Sequence, residues 1–131
     1  MKLHHVGVAV TDLDESISLY RDLFEAELVH RQRNEKEGLE AAFLRVGDAE
    51  VELLSPLRED SPVGKFVARR GPGLHHVAFA TPDIERSLAD ALGAGLDLID
   101  ATPRMGMHGT RIAFVHPKSV GGVLTEFVES K

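Results

Sequence analysis

The chain has 131 residues, of which 43% are hydrophobic and 27% are charged, and its formal net charge at pH 7 is −6. A chain of this length and composition is typical of a globular protein that can bury most of its apolar surface. The acidic balance argues against nucleic acid or an anionic membrane as the main partner, because phosphate binding needs a basic surface.

The absence of two features narrows the class of protein further. There is no cysteine, so we expect neither disulfides nor thiolate chemistry, and any metal ion must be held by nitrogen and oxygen ligands. The N-terminal residues form no apolar signal region, and no apolar stretch approaches about 20 residues. We therefore expect a cytoplasmic protein.

The first half of the chain predicts one strand, one helix and three further strands. Residues 3–10 alternate as a strand does, and Asp12 and Glu15 then have the spacing of a helix capping box. Apolar residues at helical spacing follow, namely Leu13, Ile17, Tyr20, Leu23 and Phe24. The three further strands are expected at 26–33, 39–46 and 49–55, with Gly47-Asp48 as the turn between the last two.

The second half repeats this order after a connector. Residues 57–72 hold a short helix, expected over 63–70 and ended by glycines. The elements then expected are a strand at 74–80, a helix at 83–94, and strands at 96–101, 110–116 and 122–129. This pattern predicts an α+β protein with two βαβββ modules, at about 1–56 and 73–131. Since neither module can bury both faces of its own sheet, we expect a single domain over 1–131.

An internal repeat connects residues that no local motif would connect. The segment Leu3-His4-His5-Val6 recurs 71 residues later as Leu74-His75-His76-Val77. Each half also ends in an apolar run that carries one glutamate, Glu52 in the first and Glu126 in the second. Each half therefore contributes one histidine early and one glutamate late.

Strand alternation predicts where these four side chains point. His5 shares a strand face with the small residues Gly7 and Ala9, whereas valines occupy the opposite face, which suits packing against a helix. His76 shares its face with two alanines in the same way. Glu52 and Glu126 are flanked by large apolar residues, and a carboxylate in such a strand is costly to bury unless a cation meets it.

The four residues His5, Glu52, His76 and Glu126 therefore predict a divalent metal site. Two imidazoles and two carboxylates favour Mg, Mn, Co, Ni or Fe(II) over a closed zinc site and leave room for water or substrate. The alternative is that the repeat serves packing only, with the two glutamates as edge charges. We assign His4 and His75 to packing or to support of the ligands, and we expect His30 on the surface, while His108 and His116 stay unassigned.

The duplicated βαβββ pattern with these ligands resembles the vicinal oxygen chelate superfamily, which includes glyoxalase I, extradiol dioxygenases and bleomycin resistance proteins. Several segments are similar to the methylmalonyl-CoA epimerase family within it: the two His-His strands, Val51–Leu57, Ser61–Phe66, and His116-Pro117-Lys118-Ser119 before the last strand. The resemblance covers essentially the whole chain. It implies an incomplete barrel built from one mixed sheet.

This resemblance also implies a function. The family's metal ligands correspond to His5, Glu52, His76 and Glu126, and the implied cofactor is a divalent ion such as Co, Ni, Mn, Mg or Zn. The implied reaction interconverts the R and S forms of methylmalonyl-CoA. It proceeds by removal of the α-proton and formation of an enolate that the metal stabilises. The implied partners are an acyl-CoA substrate and a second copy of the chain in a homodimer.

The chain departs from part of this family at one catalytic position. Some members carry a glutamate base three residues after a glycine in the third strand, which corresponds here to Ala41. The neighbouring carboxylate, Glu40, is a weak candidate, because alternation points it away from the metal unless a bulge intervenes. Glu126, a metal-bound hydroxide or another carboxylate such as Glu50 are the other candidates for the proton-transfer groups.

The anionic end of such a substrate needs hydrogen-bond donors. The glycine-rich segment 103–111 contains Arg104, and Lys118 and Ser119 lie in the next loop. Arginine and lysine pair well with carboxylate or phosphate, so these three residues are the candidates for substrate binding. Basic residues of the connector, Lys65, Arg69 and Arg70, are further candidates for the CoA phosphates.

Two other functions remain open on the sequence. A glyoxalase I-like isomerase acting on a glutathione hemithioacetal would use the same types of ligand. A bleomycin-resistance-like protein that binds a drug without chemistry would need no metal. Extradiol dioxygenases typically use two histidines and one glutamate in a longer chain, which makes them the weaker comparison.

Overall fold

A computed structural model of the protein describes residues 1–130, without the side chain of His108. The strands and α-helices found there are, in chain order, β1 (Lys2–Ala9), α1 (Leu13–Phe24), β2 (Glu27–Asn34), β3 (Leu39–Val46), β4 (Ala49–Pro56), α2 (Pro62–Arg70), β5 (Gly73–Thr81), α3 (Ile84–Gly93), β6 (Arg104–Met105), β7 (Arg111–Val115) and β8 (Leu124–Glu129). Short 3-10 helices occupy Met107–Gly109 and Pro117–Ser119. The α+β class with two βαβββ modules is confirmed. None of the helices in the described chain has the length and apolar character that crossing a bilayer requires.

The chain forms two compact units. One consists of Val6–His75, and the other of Met1–His5 together with the chain from His76 onward. Both unit boundaries fall inside strands, since β1 continues past His5 and β5 begins before His76.

The Val6–His75 unit contains the strand order β2-β3-β4-β1. Strand β1 runs parallel to β4, and the other pairs are antiparallel. Helix α1 begins at the predicted cap, where the Asp12 side chain accepts a hydrogen bond from the Glu15 N–H at 3.0 Å. Its apolar side packs on one sheet face with Leu44, Leu53 and Val8 of β1, as alternation predicts. The opposite face carries Ala9 and Leu54, which pack with α2.

The second unit contains the strand order β1-β5-β8-β7-β6. Strand β5 runs parallel to β8, and β7 is antiparallel to both β8 and β6. Helix α3 packs on one face through Ile84 and Leu88 against Ala113. The opposite face of this unit carries Ala78, Ile112 and Val128.

The strand expected at 96–101 is the one element that the structure corrects. Only an isolated bridge between Leu98 and Val115 forms there, and the edge strand β6 lies further along at Arg104–Met105. Two aspartates of this segment form hydrogen bonds that are not part of a regular strand ladder, one through its side chain and one through its backbone. The Asp100 carboxylate accepts from the Phe114 N–H at 2.9 Å, and the Asp97 N–H donates to Ser119 Oγ at 2.9 Å. Such side-chain bonds compete with strand pairing.

Candidate metal centre

Two buried histidines of the repeat meet in the unit that begins at Met1. Their side chains share strand faces with small residues, Gly7 and Ala9 on β1 and Ala78 and Ala80 on β5, and His5 and His76 are 5% and 2% exposed. Their Nε2 atoms lie 3.0 Å apart, and the rings meet edge to face. Both histidines are among the residues that could hold a metal ion. The predicted convergence of the two histidines is thereby observed.

Glu126 supplies an oxygen to the same point. It is the register partner of Ala78 on β5, which puts its side chain on the face of His76. Its Oε1 atom lies 3.3 Å from His5 Nε2 and 3.5 Å from His76 Nε2. Within residues 1–130, this buried oxygen accepts no hydrogen bond. We call His5, His76 and Glu126 the ligand cluster.

The ligand cluster fits a divalent cation. Two imidazole nitrogens and one carboxylate oxygen converge, and all three atoms belong to buried side chains. A buried carboxylate oxygen without a donor is costly, because it has lost water and gained no partner. A cation at this point would offset that cost, and imidazole with carboxylate is a donor set that divalent transition metals accept.

His4 contacts the outer side of the cluster. Its Nδ1 lies 2.7 Å from the Nδ1 of His5, so one of the two nitrogens carries the proton and the other accepts it. A His5 ring that ligates a cation through Nε2 must carry its proton on Nδ1. In that state His4 is the acceptor, which matches the supporting role predicted for it.

Glu52 lies in the Val6–His75 unit and is described there. It sits on β4 and is paired with Gly7 of β1 and with Phe43 of β3. Its side chain is 4% exposed and stands on the face away from the α1 core. The face and the burial of Glu52 agree with those predicted from strand alternation.

Phe114 lies beside His76, and Arg104 lies on Phe114. The Phe114 ring meets the His76 ring edge to face with centroids 5.9 Å apart. The Arg104 guanidinium lies 5.7 Å from the centroid of Phe114, and its Nε donates to Asp100 at 3.2 Å. Of the predicted substrate-binding residues, Arg104 is therefore the one that the structure places against the surroundings of the ligand cluster.

Lys118 and Ser119 lie beside Asp97 instead. The Lys118 ammonium is 2.8 Å from the Asp97 carboxylate, and Ser119 Oγ accepts from the Asp97 N–H. Hydrogen bonding within this pair lowers the pKa of Asp97 and raises the pKa of Lys118. His116 accepts a hydrogen bond from the Lys118 N–H. The side chain of His116 thus stabilises the turn in which Lys118 lies.

Glu40 is engaged on the α1 side of the sheet. Its carboxylate accepts a hydrogen bond from the Arg31 Nε at 2.9 Å, and Arg31 also reaches Asp14 of α1. These bonds raise the pKa of Arg31. The register of β3 against β4 is regular, with Ala41 paired to Leu54. Alternation therefore holds along β3, and Glu40 stands on the face opposite to that of Glu52.

The sequence predicts His30 on the surface, and in the structure it is only partly exposed. It is half-buried, its ring packs at 6.3 Å from the Phe43 ring, and its Nε2 is 3.1 Å from Gln32 Oε1. The cause is an irregularity in β2 between Leu28 and His30. No glycine or proline occurs in β2 to indicate such a bulge, so the sequence carries no signal for it.

Comparison with known proteins identifies the family. The profile of the Glyoxalase/Bleomycin resistance protein/Dioxygenase superfamily matches residues 4–114. The mitochondrial methylmalonyl-CoA epimerase of Dictyostelium discoideum is 34% identical over 129 residues, which cover 98% of this chain and 78% of that protein. The crystal structure of methylmalonyl-CoA epimerase from Mycobacterium tuberculosis is 39% identical with a TM-score of 0.93, covering 99% of this chain and 88% of that one. A variant of the Streptomyces coelicolor methylmalonyl-CoA epimerase in complex with 2-nitronate-propionyl-CoA is 40% identical with a TM-score of 0.94, covering 99% and 94%. The chain belongs to the Glyoxalase/Bleomycin resistance protein/Dioxygenase superfamily.

Proposed function

We propose that this protein is a metal-dependent epimerase that interconverts the R and S forms of methylmalonyl-CoA. The observation that carries the proposal is the ligand cluster, in which two histidine nitrogens and an oxygen without a hydrogen bond converge. Relatives named for this activity match nearly the whole chain. A fold alone does not determine chemistry, and the buried ligands are therefore the stronger support.

We propose His5, Glu52, His76 and Glu126 as the metal ligands. The ligand cluster supports three of them directly. Glu52 is supported by its burial, by its register with Gly7 and by its place as the counterpart of Glu126 in the other module. The donor set accepts Co, Ni, Mn, Mg or Zn. When bound, such a cation supplies Lewis-acid stabilisation of the negative charge that develops on the thioester oxygen.

Epimerisation also needs groups that remove and return the α-proton. Glu126 is our candidate among the predicted residues, because no described donor occupies its buried Oε1. That oxygen is disposed to take up a proton or to face a cation. Glu40 stays a weaker prediction, since Arg31 holds it on the α1 side of the sheet.

The substrate is an acyl-CoA whose malonyl carboxylate and CoA phosphates are anionic. We propose that Arg104 binds the anionic acyl end, because its guanidinium lies over Phe114 next to His76. Lys118 and Ser119 are proposed to bind a second anionic part of the substrate, and Lys118 would exchange its ion pair with Asp97 for that contact. A cytoplasmic location stays a prediction. A homodimer also stays a prediction, and the mass of the protein in solution would test it.

The test uses protein stripped of metal with a chelator and then reloaded with Co(II). It is incubated with methylmalonyl-CoA in deuterated water, and NMR and mass spectrometry follow the α-hydrogen. We expect the substrate to take up deuterium and to lose stereochemical purity only with the reloaded protein. His76→Ala should lower Co(II) affinity and reduce exchange by at least ~10²-fold.

Control variants separate the outcomes of this experiment. Asp90→Asn, an exposed carboxylate on α3, should leave both Co(II) affinity and exchange unchanged. Normal exchange in Glu40→Gln would exclude Glu40 as a proton-transfer residue. Tight Co(II) binding without exchange would refute the epimerase and favour the glutathione hemithioacetal reaction, which is assayed next. Absence of Co(II) binding would refute the metal site and favour a binding protein without chemistry.

A further inference from the structure

We propose that helix α2 binds the 3′-phosphate of the coenzyme A part of the substrate through Lys65, Arg69 and Arg70. The inference rests on the proposed function and deepens it, because it names the part of the substrate that this helix recognises. It is carried by the charge, the exposure and the packing of α2, which lies entirely in the Val6–His75 unit.

The charge of α2 differs from that of the other two α-helices in residues 1–130. Its nine residues include three cations and no carboxylate, whereas α1 and α3 each contain both aspartate and glutamate. The chain as a whole has a formal net charge of −6, which repels a polyanion such as coenzyme A. A local group of cations offsets this repulsion where the polyanion binds.

The three cations of α2 are available to a ligand. Lys65, Arg69 and Arg70 are exposed, and no carboxylate within residues 1–130 forms an ion pair with any of them. By contrast, Arg31 lies 2.7 Å from a carboxylate oxygen and Lys118 lies 2.8 Å from one. A phosphate can therefore bind at α2 without breaking an existing ion pair.

Helical spacing places these cations around one aromatic residue. Lys65 and Arg69 are four residues apart and share one side of α2, and Phe66 and Arg70 share the adjacent side. The Arg70 guanidinium lies 5.7 Å from the centroid of the Phe66 ring, which meets the His75 ring edge to face at 4.9 Å. The contact with Phe66 holds Arg70 without using a guanidinium N–H, so these donors stay available to a phosphate.

The backbone of α2 is fixed by its first turn. The buried Ser61 side chain accepts a hydrogen bond from the Gly64 N–H at 3.0 Å and donates one to the Arg58 carbonyl oxygen at 2.7 Å. A Cβ at Gly64 would overlap that same carbonyl oxygen, and Val63 is 2% exposed. The helix that carries the cations is therefore in place before a ligand arrives, which lowers the entropic cost of binding.

The helix dipole accounts for only part of this pattern. Cations in the last turn stabilise a helix, because its terminal carbonyl groups carry partial negative charge, and Arg69 and Arg70 lie in that turn. Lys65 lies one turn earlier, where this effect is weak. The first turn of α2 contains no acidic residue, although the dipole would favour one there. An anionic ligand accounts for both observations.

Among the anionic groups of coenzyme A, the 3′-phosphate fits this surface best. A phosphate monoester concentrates a charge of about −1.5 to −2 on one group at pH 7, whereas the diphosphate spreads its charge over two groups. The 3′-phosphate also stands at the end of the molecule that is remote from the acyl group, and an exposed helix face suits an end that stays in contact with solvent. Arginine binds such a group through paired N–H donors.

The test compares propionyl-CoA with propionyl-dephospho-CoA, which lacks only the 3′-phosphate, by calorimetric titration of the Co(II)-loaded protein. We expect wild type to bind propionyl-CoA about 10-fold more tightly. Lys65→Gln, Arg69→Gln and Arg70→Gln should each reduce this ratio by about 3-fold, and the variant with both arginines replaced should bind the two ligands within about 2-fold of each other. Glutamine forms helices nearly as well as lysine and arginine, so these variants should fold.

The exchange assay supplies a second readout. The variant with both arginines replaced should raise KM for methylmalonyl-CoA by about 10-fold and leave kcat within about 3-fold of wild type. A contact remote from the reacting carbon is made equally in the ground state and in the transition state.

Arg86→Gln is the matched control, because Arg86 is an exposed arginine of α3 and its replacement removes the same charge as each single variant. Its ratio should equal that of wild type. An unchanged ratio in the variant with both arginines replaced would overturn the subsite. Equal weakening of both ligands would also overturn it, because this would indicate a structural effect.

The subsite and the epimerase proposal fail in different ways. Equal affinity of wild type for the two ligands, together with α-proton exchange, would overturn the subsite alone. A wild-type preference for propionyl-CoA that the arginine variants lose, without α-proton exchange from methylmalonyl-CoA, would support the subsite and refute the epimerase.

Discussion

Buried polar residues fall into two groups that differ in how they are satisfied. The buried hydroxyls bond locally, as Thr81 does with Ser87 at 2.7 Å and Ser61 does with the Gly64 N–H at the start of α2. Among the side chains that the structure describes, the buried titratable ones are those of the repeat, namely His5, Glu52, His76 and Glu126. Burying such groups is costly unless they are paired or bind a cation. The burial of these four residues therefore indicates a functional site and not packing.

The contact of His4 with His5 leads to a prediction at this scale. If His4 accepts the Nδ1 proton of His5, His4→Leu should weaken Co(II) affinity by about 10–100-fold, a typical effect of losing a partner of a metal ligand. His4→Asn should retain most of the affinity, because its amide oxygen can accept the same proton. Calorimetric titration with Co(II), together with the visible spectrum of the bound ion, measures both effects.

The duplicate histidine offers a matched control for this prediction. His75 occupies the equivalent place before His76, but its ring packs on Phe66 at 4.9 Å between centroids. His75→Leu should therefore leave Co(II) affinity unchanged. Equal affinities for His4→Leu and wild type would contradict the supporting role of His4.

At the scale of elements, an ion network ties α3 to the sheet of its unit. Arg111 of β7 bonds to Glu85 of α3 through both terminal nitrogens and to Glu129 of β8. Glu129 in turn accepts from the Ile84 N–H at the start of α3, at 3.3 Å. One arginine therefore connects two strands with the first turn of a helix.

This network predicts a dependence of stability on pH. Hydrogen bonding to Arg111 lowers the pKa of Glu85 below its ordinary value of 4.5. A carboxylate with a lowered pKa in the folded protein stabilises the fold above its unfolded pKa, and this contribution is lost as the pH falls through the lowered value. Glu85→Gln should therefore lower the urea midpoint at neutral pH, and the difference from wild type should be smaller at a pH well below 4.5. A difference that is the same at both pH values would contradict this role.

At the scale of the whole molecule, the modules of the sequence and the compact units of the structure do not coincide. Each module is a βαβββ segment that is continuous in sequence. The units instead divide inside the repeated segment, between His5 and Val6 and between His75 and His76. Strands β1 and β5 each contribute residues to both units. The single domain over 1–131 stays a prediction.

A single domain should unfold in one transition. Leu53 is fully buried in the Val6–His75 unit and Ile112 is buried in the other. Leu53→Ala and Ile112→Ala should each lower the free energy of unfolding by about 2–5 kcal/mol. If the chain is one domain, both variants shift the same cooperative transition in urea, followed by circular dichroism. Two transitions, each shifted by only one of the variants, would show two domains.

The amino-acid sequence by itself determined most of the elements, the two modules and the faces of the four predicted ligands. Capping at Asp12, strand alternation and the repeat are local or periodic signals, and they are read without knowing the fold. Alternation also placed Glu40 on the face opposite to Glu52.

Only the tertiary structure decided what depends on contacts between distant segments. The Nε2 atoms of His5 and His76 meet because their strands belong to one sheet. The Asp100 carboxylate accepts a hydrogen bond from the Phe114 N–H, and of the strand expected at 96–101 only the bridge between Leu98 and Val115 forms. The bulge at Val29 reverses the face of His30, since register is set by the pairing of two strands and one extra residue changes every side chain beyond it.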